Sequence, residues 1–558
     1  MGEKNMKRTI ALILISGLLL SFTACGTPGK PSETKQPTET TQPTETGIYK
    51  IDDMRNECIV DDFGVVKADN AGNARVFYQI FVGSFSDSNG DGVGDLRGII
   101  NRFDYLNDGD PNSGLSLGIE GIWLSPIFTS PSYHKYDVTN YYEIDPKFGT
   151  MDDLKDLIKL CYERGVKLIL DMVINHTATN HEWFQKFRTA RINGDTENEY
   201  YEFYTFGTEP ATGRTFYPIG TTGYYEGNFS ASMPELNYDN EAVRQAMVDA
   251  AKFYLDMGID GFRFDAAKYV YYGDAPANAL FWDWYMAELR KIKPDLYSVA
   301  EVWDSDAVTF PYFTATNCFN FTMSQTGGQI AETARMGDVN VFAKYVENYV
   351  NTIKEKNPDA MLCTFIANHD TDRAAGFLTV ASGQAKVAAN LSILTPGSPF
   401  IYYGEEIGLK GSRGGANTDA NRRLAMFWGD DDTVKNPEGT TYNSPQSNGS
   451  VLEQMPKWDS LYNHYKKLIA IRKANPEIAY GSYVALNIPD SKLGGFLSTY
   501  EGSTVAVLHN TTQGQLTVDL SQVTDVSIAA ISAVVGIGSA TLDGTVLTVD
   551  GQTSVVLK

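Results

Sequence analysis

Cysteine is scarce in this sequence, with 5 residues in a chain of 558. Cys58, Cys161, Cys318 and Cys363 lie far apart along the chain, so their spacing predicts neither a zinc site nor the disulfide framework of a small secreted domain. Cys161 and Cys363 fall within apolar segments, where a free thiol packs as a small hydrophobic side chain. We therefore expect buried free thiols at these two positions.

Positive charge is also in short supply. The chain has 46 Lys and Arg residues against 69 Asp and Glu residues, for a net charge of -23. Such a charge repels phosphate backbones, which argues against a nucleic-acid partner and fits a protein with neutral substrates. After residue 20 no apolar run of the sequence approaches the length of a membrane span. With 558 residues, the chain is expected to form one large domain with one or two smaller ones.

The first 25 residues have the features of a secretory signal. Three basic residues precede an apolar stretch over residues 10–20. Residues 22–26 are similar to a bacterial lipobox, in which a cysteine becomes lipid-modified and amino-terminal. Cys25 is the predicted lipidation site; Phe22 replaces the usual leucine, and ordinary signal cleavage is the alternative. We expect an extracellular protein, lipid-anchored at the surface of a bacterial membrane.

Residues 26–70 are predicted to be a linker and lead-in to the first domain. Residues 27–47 repeat Pro, Thr and Glu and contain almost no apolar side chains. Such a segment cannot bury enough apolar surface to fold alone. We expect it to act as a spacer between the lipid and the folded chain.

Helix and strand patterns alternate from about residue 71 to residue 474. Thr150 can cap a helix that places Leu154, Leu157, Ile158 and Cys161 on one face. Continuous apolar strands of the kind found in parallel sheets follow such helices. Eight strands are predicted, over residues 75–82, 119–125, 166–173, 259–265, 296–302, 318–321, 361–367 and 400–403. The count favours an α/β fold with a (β/α)8 TIM barrel; an open doubly wound sheet is the alternative.

Two breaks in the alternation predict further domains. Residues 177–237 separate the third strand from the next helix, which is far longer than a usual βα loop, so we predict an inserted domain that overhangs the barrel mouth. The barrel is then built from residues 71–176 and 238–474. Beyond residue 475, alternating strands flank a Glu501-Gly502 turn, which predicts an antiparallel β-sandwich over residues 475–558.

Acidic side chains stand at the ends of several predicted barrel strands. Period-two alternation puts Arg263 and Asp265 on one strand face. Glu301 ends the next strand, and Asp370 follows the seventh. Because barrel strands aim polar side chains at one substrate from their carboxyl ends, we predict an active site there. Asp265 and Glu301 can cleave an acetal, which needs an acid for the leaving oxygen and a carboxylate about 5 Å away for the cationic centre.

In this order, the segments resemble the signature of the α-amylase family of retaining glycoside hydrolases. The matching segments are residues 171–176, 233–237, 261–265, 301–303 and 365–370. The resemblance implies that Asp265 is the nucleophile and Glu301 the acid and later the base. It implies that Asp370 grips the hydroxyls of the sugar next to the cleaved bond.

The resemblance also implies a set of substrate-binding side chains. Arg263 should keep Asp265 ionised because it lies on the same strand face, whereas Glu301 must hold its proton near neutral pH. The family usually has glycine where Lys135 stands. The substrate-binding residues implied are Tyr136, which would stack on the sugar, His176 and His369, which would hydrogen-bond to it, and Arg263, His134 and Asp137.

A loop after the first strand has the composition of a calcium site. Residues 87–95 place oxygen side chains at alternate positions, the spacing at which a tight loop wraps calcium. Position twelve is Gly98 rather than the glutamate of an EF-hand, and a solvated turn is the alternative. Several branches of the family have a calcium loop here, so the resemblance implies Ca2+ at Asp87, Asn89, Asp91, Val93 and Asp95.

Many α-amylases carry another calcium between the barrel and the insert. It is held partly by the residue corresponding to Asn175 and by a histidine four residues after the nucleophile. This chain has Asn175, but Tyr269 stands in place of the histidine, and tyrosine is a poor ligand at neutral pH. Whether a second calcium binds is left open by the sequence.

The resemblance leaves several activities to weigh. Residues 266–268 after the nucleophile resemble α-1,4-acting amylases, whereas the calcium loop and residues 233–237 resemble the oligo-1,6-glucosidase and neopullulanase branches. We favour a monomeric α-amylase that acts on starch and maltooligosaccharides, with an α-glucosidase, neopullulanase-like or transglycosylating enzyme as the alternative. A maltodextrin-binding surface lipoprotein is the non-enzyme alternative, and the intact Asp265, Glu301 and Asp370 argue against it.

If Cys25 carries a diacylglycerol, mass spectrometry of the amino-terminal peptide should show the lipid in the wild type and none in Cys25→Ala. The variant should appear in the medium or persist as an uncleaved precursor, because its covalent link to the bilayer is gone. Cys58→Ala, the matched control, should keep the lipid. Wild-type protein free in the medium with an ordinary cleaved terminus would contradict the anchor.

Overall fold

The computed structural model describes residues 73–111 and 113–558. The predicted signal with Cys25, the linker over residues 26–70, and Cys58 lie outside the described residues. Within the described ranges, no helix is both long and apolar enough to cross a membrane.

Eight parallel strands form a nearly closed barrel. In chain order they are β1 (Phe77–Ile80), β2 (Gly121–Leu124), β3 (Lys167–Met172), β4 (Gly261–Phe264), β5 (Tyr297–Ala300), β6 (Asn317–Cys318), β7 (Cys363–Phe365) and β8 (Ser398–Tyr402). The strands pair in the order β6, β5, β4, β3, β2, β1, β8, β7. A parallel bridge between Phe319 and Cys363 joins the two ends of this sheet. The predicted barrel is therefore confirmed, because an open doubly wound sheet would leave two unjoined edges.

Helices connect the strands, as the alternating pattern predicts. Leu96–Asn101 and Phe103–Leu106 follow β1, Met151–Glu163 follows β2, and Glu241–Met257 precedes β4. Ala275–Ile292 follows β4, Asp306–Thr309 follows β5, Gln329–Ala334 and Val339–Lys356 follow β6, and Ala374–Phe377 and Gln384–Ile393 follow β7. Val451–Gln454, Leu461–Ala474 and Pro476–Tyr480 follow β8.

The helix Met151–Glu163 shows how the sequence sets these elements. Thr150 accepts a hydrogen bond from the Asp153 backbone N–H, and the Asp153 side chain bonds back to the Thr150 N–H. This capping box satisfies two amides that the first turn leaves free and stabilises the helix by about 1 kcal/mol. Leu154, Leu157 and Cys161 are buried on one face, as predicted, and Ile158 is partly buried against the same core.

Aromatic rings fill the barrel interior. The Phe77 ring stacks on Phe400, with centroids 4.7 Å apart, and lies 4.6 Å from the ring of Tyr297. The space that Phe77 occupies requires glycine on the neighbouring strand, since a Cβ at Gly121 would lie 2.4 Å from its ring. Cys363 belongs to this interior cluster. Cys161 and Cys363 are both buried free thiols, which confirms the expectation for them.

The segment between β3 and Glu241–Met257 forms a small structure of its own. It contains helix Glu182–Asn193 and an antiparallel sheet in the strand order Phe206–Gly207, Gly223–Glu226, Phe216–Ile219. Backbone hydrogen bonds attach its end to the barrel, with the Leu236 N–H donating to the Asn175 carbonyl over 3.0 Å. A separate hairpin after β2 pairs Phe128–Thr129 with Asn140–Ile144.

The last part of the described chain is an antiparallel β domain, as predicted. Five strands form one sheet, in the order Ser482–Ala485, Leu493–Tyr500, Ser503–Asn510, Thr553–Leu557 and Ile531–Gly536. A second sheet contains Leu516–Asp519, Val546–Val549 and Ala540–Asp543. Glu501 and Gly502 have φ values of 50° and 83°, the left-handed conformation of a tight hairpin turn. The helical region extends to Tyr480, past the predicted end at residue 474, because Pro476 opens a short extra helix.

Candidate active site

The carboxyl ends of β3, β4 and β5 bring four charged side chains together. Asp171 lies in β3, in register with Arg263 of β4. Asp265 directly follows β4, and Glu301 directly follows β5. Because β3, β4 and β5 are neighbours, their strand ends place all four groups at one point of the barrel mouth.

The Arg263 guanidinium is the centre of this cluster. Its Nη1 lies 2.7 Å from Asp265 Oδ1 and 2.8 Å from Asp171 Oδ1. Its Nη2 lies 3.0 Å from Glu301 Oε2. The Arg263 side chain is fully buried, so one cation that water does not screen holds three carboxyl groups. Asp265 and Glu301 therefore lie side by side across a single guanidinium.

The environment of Glu301 favours its protonated form. Burial raises the pKa of Glu301 to about 8, with the negative charges of Asp265 and Asp370 adding to the rise and Arg263 opposing it. The Ala266 N–H donates to Glu301 Oε2 over 3.1 Å. Ala266 has the left-handed φ of 47°, which is uncommon for a residue with a side chain and turns its amide toward Glu301. Glu301 can therefore act as an acid near neutral pH.

Asp171 shares Arg263 with Asp265. Burial raises the pKa of Asp171 to about 7, against the opposing charge of Arg263. Asp171 Oδ2 accepts hydrogen bonds from the Tyr136 hydroxyl over 2.9 Å and from Trp123 Nε1 over 3.2 Å. Asp171 therefore fixes the ring of Tyr136 as well as the guanidinium of Arg263.

Asp370 has hydrogen-bonding partners of its own. Its carboxylate lies 2.8 Å from Arg423 Nη2 and 2.9 Å from His369 Nε2. Burial opposes ionisation, but His369 and the guanidinium groups of Arg423 and Arg263 outweigh it and hold the pKa of Asp370 below its ordinary value. Asp370 is therefore a carboxylate at neutral pH.

Tyr136 and His369 form a stacked pair at the cleft wall. Their rings are parallel within 3°, with centroids 5.4 Å apart. The Tyr136 hydroxyl lies 2.6 Å from His369 Nε2. Gln79 Nε2 donates to His369 Nδ1 over 2.7 Å, which leaves the ring proton on Nε2. Burial lowers the pKa of His369, so the imidazole is neutral at neutral pH.

His176 is placed to meet a ligand. Its Nε2 is buried and has no hydrogen-bond partner among the described residues. Burial lowers the pKa of His176, so its ring is neutral. The ring lies against Phe229 on the wall of the cleft. A buried polar atom of this kind is costly unless a partner arrives, and a sugar hydroxyl is such a partner.

The loop over residues 130–137 supplies the remaining predicted groups. His134 Nδ1 accepts from the Tyr136 N–H over 3.1 Å, and burial, with Arg423 second, lowers the pKa of His134 to about 4. Asp137 accepts hydrogen bonds from the hydroxyls of Ser130 and Ser132. Lys135 has a φ of 66°, which accounts for glycine at this position in the family, and its Nζ pairs with Asp145 over 2.7 Å.

The predicted catalytic and substrate-binding residues, apart from Arg263 and His369, line one open cleft of about 1090 Å³. Two large aromatic side chains on its wall remain exposed to solvent, Phe229 at 46% and Trp303 at 41%. The Trp303 ring is stacked on Phe321 with centroids 4.9 Å apart. The cleft therefore combines convergent acids with flat apolar faces, as sugar-binding surfaces do.

Sequence reasoning does not assign Asp171, Arg423 or Gln79 to the site. Asp171 opens one of the matching segments, and its spacing on β3 is the available signal. Arg423 lies 53 residues after Asp370 in a loop without periodicity, and Gln79 lies 290 residues before His369. Contacts over such separations leave no local pattern in a single sequence.

The loop over residues 87–95 is a series of side-chain-capped turns. Asp87 accepts hydrogen bonds from the backbone N–H groups of Asn89, Gly90 and Gly92, and Thr433 donates to it as well. Asn89 Oδ1 accepts from Asp91, and Asp91 Oδ1 accepts from Val93. Asp95 caps helix Leu96–Asn101.

The oxygen atoms of this loop are of the kind that calcium binds. Its side chains offer carboxylate and amide oxygens, the ligands that Ca2+ prefers, and Asp91 keeps one carboxylate oxygen outside the turn hydrogen bonds of the described residues. Among the described residues, no group of three or more Asp, Glu, His or Cys side chains is arranged to hold a metal ion. Any calcium there would draw on amide and backbone oxygens as well as on carboxylates.

Comparison with known proteins finds relatives in sequence and in structure. The family description "Alpha amylase, catalytic domain" matches residues 79–481. The chain is 37% identical over 443 residues to Alpha-amylase 3 of Dictyoglomus thermophilum, covering 78% of this chain and 84% of that protein. It is 32% identical over 458 residues to the 4-alpha-glucanotransferase of Thermotoga neapolitana, covering 79% and 96%. The structure of Eubacterium rectale Amy13B aligns with a TM-score of 0.80 at 31% identity, covering 87% of this chain and 96% of that chain.

If Glu301 gives its proton to a leaving group, kcat/KM should fall as the pH rises through about 8, the raised pKa of Glu301. Because the protonated form of Glu301 is the active one, the activity is full below this raised pKa and is lost above it. A substrate whose leaving group needs no protonation should lack this alkaline limb in its bond-cleavage step. An alkaline fall in kcat/KM that stays unchanged in Glu301→Gln would contradict the assignment of Glu301 as the acid.

Proposed function

Since the chain belongs to the α-amylase family and is an enzyme that acts on glycosidic bonds, we propose that it hydrolyses α-1,4-glucosidic bonds in starch and maltooligosaccharides. The observation that carries the proposal is the single Arg263 guanidinium that contacts both Asp265 and Glu301 at the cleft. A nucleophile and an acid held this close match a retaining mechanism, in which the two carboxyl groups lie about 5 Å apart.

In the first step, Glu301 gives its proton to the glycosidic oxygen while the Asp265 carboxylate attacks the anomeric carbon. The C–O bond to the leaving sugar breaks, a bond to Asp265 forms, and the leaving sugar departs with the proton. Arg263 pairs with Asp265 over 2.7 Å and fixes the position of its carboxyl group. Burial keeps the proton on Glu301 until it is needed.

In the second step, Glu301 is a carboxylate and takes a proton from water. The water oxygen attacks the anomeric carbon, the bond to Asp265 breaks, and the product keeps the original anomeric configuration. Asp370 would hold sugar hydroxyls, since its partners Arg423 and His369 keep it charged. The unpartnered Nε2 of His176 among the described residues would meet another hydroxyl.

The size of the cleft supports an oligomeric substrate. Its volume of about 1090 Å³ is above the roughly 300–1,000 Å³ of pockets that enclose one drug-sized ligand. The cleft is also lined by side chains from several loops, among them Tyr133, Met233, Trp303 and Asp419. Several sugar units would fit along it.

A transferase activity is the second candidate, and the exposed aromatic rings favour it. Phe229 and Trp303 offer apolar faces in the cleft, and a sugar bound there could replace water in the second step. The similarity to a protein named 4-alpha-glucanotransferase is in keeping with this candidate. The two activities differ only in whether water or a sugar hydroxyl attacks the intermediate.

Product analysis on maltoheptaose, soluble starch and pullulan tests the proposed function. We expect shorter maltooligosaccharides and new reducing ends from the first two substrates. A transferase would give products longer than maltoheptaose with few new reducing ends. Asp265→Asn should lower turnover by several orders of magnitude while the protein stays folded, because the group that forms the intermediate is lost. Wild-type rates in Asp265→Asn, or no cleavage of any α-glucan, would refute the proposal.

The loop over residues 87–95 would hold Ca2+ through Asp87, Asn89, Asp91, Val93 and Asp95, with Val93 contributing its backbone carbonyl. Support comes from the oxygen donor set and from the alternate spacing of these residues. The bound ion would supply positive charge that stabilises the loop against the neighbouring residues 432–435, which Asp87 and Gly92 contact. The loop supplies no group that reacts with substrate.

Chelation should therefore lower Tm more than it changes kcat. An ion present at 100 times its Kd stabilises the folded state by about 2.7 kcal/mol, and EDTA removes that contribution. Asp91→Ala should melt at the same temperature with and without EDTA, whereas the exposed control Asp525→Ala should keep the wild-type response. An unchanged wild-type Tm in EDTA would show that the loop is only a turn.

A further inference from the structure

The interface between residues 177–237 and the barrel has a donor set that does not suit a second metal ion. Tyr269, four residues after Asp265, has its ring in an aromatic cluster. Its ring packs between Phe229, with centroids 4.7 Å apart, and Tyr272, stacked at 5.2 Å. The Lys268 ammonium lies 5.5 Å from the centre of the Tyr269 ring and pairs with Asp304 over 3.0 Å.

The acidic groups at this interface already have partners. Glu226 is almost fully buried, and its two carboxylate oxygens accept from Arg214 Nη1 over 3.1 Å and from Asn228 Nδ2 over 2.7 Å. Glu235 accepts from the Asn228 N–H over 2.9 Å. Burial, with the charge of Glu226 second, raises the pKa of Glu235 to about 7, so below that pH Glu235 needs no counter-ion.

Arg214 joins the two parts of the protein directly. While Nη1 pairs with Glu226 of the inserted segment, Nη2 donates to the backbone carbonyl of Tyr272 in the barrel over 2.7 Å. Tyr272 belongs to the loop that follows β4 and the nucleophile Asp265. A planar guanidinium can hold two acceptors in fixed directions, which a flexible ammonium cannot.

A series of aromatic rings in contact with one another leads from Tyr272 to the cleft. Tyr272 lies on Tyr269, Tyr269 packs against Phe229, and Phe229 lies 5.2 Å from the ring of His176. Phe229 and His176 both line the cleft. A shift of the inserted segment relative to the loop after β4 would therefore displace Phe229 from Tyr269 and change how Phe229 packs against His176.

We propose that Arg214 is a positioning residue that joins the inserted segment to the barrel in place of a metal ion, and that it thereby holds Phe229 and His176 in the substrate cleft. The guanidinium supplies the positive charge that Glu226 requires, and the rings of Tyr269 and Tyr272 fill the space between the two parts. The effect on substrate binding rests on the proposed function; the metal-free interface does not.

The first test concerns the metal. In the Asp91→Ala background, which removes the candidate calcium loop, EDTA should leave Tm unchanged, and elemental analysis of the purified protein should find no stoichiometric divalent ion. A fall in Tm on chelation, or one ion per chain that persists in this background, would overturn the metal-free interface. Neither readout needs catalytic activity.

The second test concerns position. At a temperature well below melting, Arg214→Gln should raise KM for maltoheptaose about ten- to hundredfold with a smaller change in kcat, since misplacement by about 1 Å can cost a hundredfold. Arg214→Lys should recover part of the loss because it keeps the charge. The control Arg97→Gln, which removes a surface ion pair with Asp153, should leave KM unchanged. An unchanged KM in folded Arg214→Gln would overturn the positioning role.

Limited proteolysis separates this inference from the proposed function. Arg214→Gln should be cut within residues 177–237 about ten times faster than the wild type, because the segment opens more often, and Arg214→Lys should be cut at an intermediate rate. Equal cutting rates in all three proteins would refute the inference whatever the substrate. If the wild type cleaves no α-glucan yet the cutting rates differ as expected, the proposed function fails and Arg214 keeps its role.

Discussion

The site depends on one buried cation shared by three carboxyl groups. Arg263 is fully buried and contacts Asp171, Asp265 and Glu301. Taking one partner from a buried ion pair typically costs about 3–5 kcal/mol, because the other charge is left without compensation. One positive charge cannot neutralise three negative ones, so protons remain on part of the set. Burial is the main reason why the pKa values of Asp171 and Glu301 are raised, and this imbalance adds to it.

Asp370 does not share Arg263 as its ion-pair partner with the other three carboxyl groups, because it pairs with a separate guanidinium. Arg423 binds Asp370 and also donates to the His369 carbonyl over 3.0 Å. The site therefore separates its acids by the number of cations within reach: Glu301 keeps a proton, whereas Asp370 stays charged. Acid and anion roles follow from where two arginines lie, since the carboxyl groups themselves are chemically alike.

The barrel makes this arrangement rigid. β3, β4 and β5 are adjacent and parallel, which fixes the spacing of Asp171, Arg263 and Glu301 at their carboxyl ends. Below them the interior is packed with rings, and Trp123 donates from that interior to Asp171. A densely packed floor leaves the charged groups few alternative positions. The loops above supply Tyr136, His369 and the exposed faces of Phe229 and Trp303.

Much of the fold and the site can be predicted from the sequence. The contacts that cannot be predicted are those that form only when distant parts of the chain fold together. Strand and helix periods predict the barrel, and period-two alternation alone puts Arg263 and Asp265 on one strand face. The contacts of Arg423 with Asp370 and of Arg214 with Tyr272 span 53 and 58 residues and arise only when distant loops fold together. Likewise, Lys135 stands out in the sequence as a departure from glycine, but its left-handed φ and its buried pair with Asp145 depend on how the loop folds against its neighbours.

The central claim is that Asp265 forms a covalent bond to the sugar while Glu301 supplies the proton. The most direct measurement is to incubate the enzyme with a slow 5-fluoro-α-glucosyl fluoride and record the mass of the intact protein and of its peptides. The account predicts one added glycosyl group per chain, carried by the peptide that contains Asp265 and absent from Asp265→Asn. An adduct on another residue, or turnover to a product of inverted anomeric configuration, would contradict it.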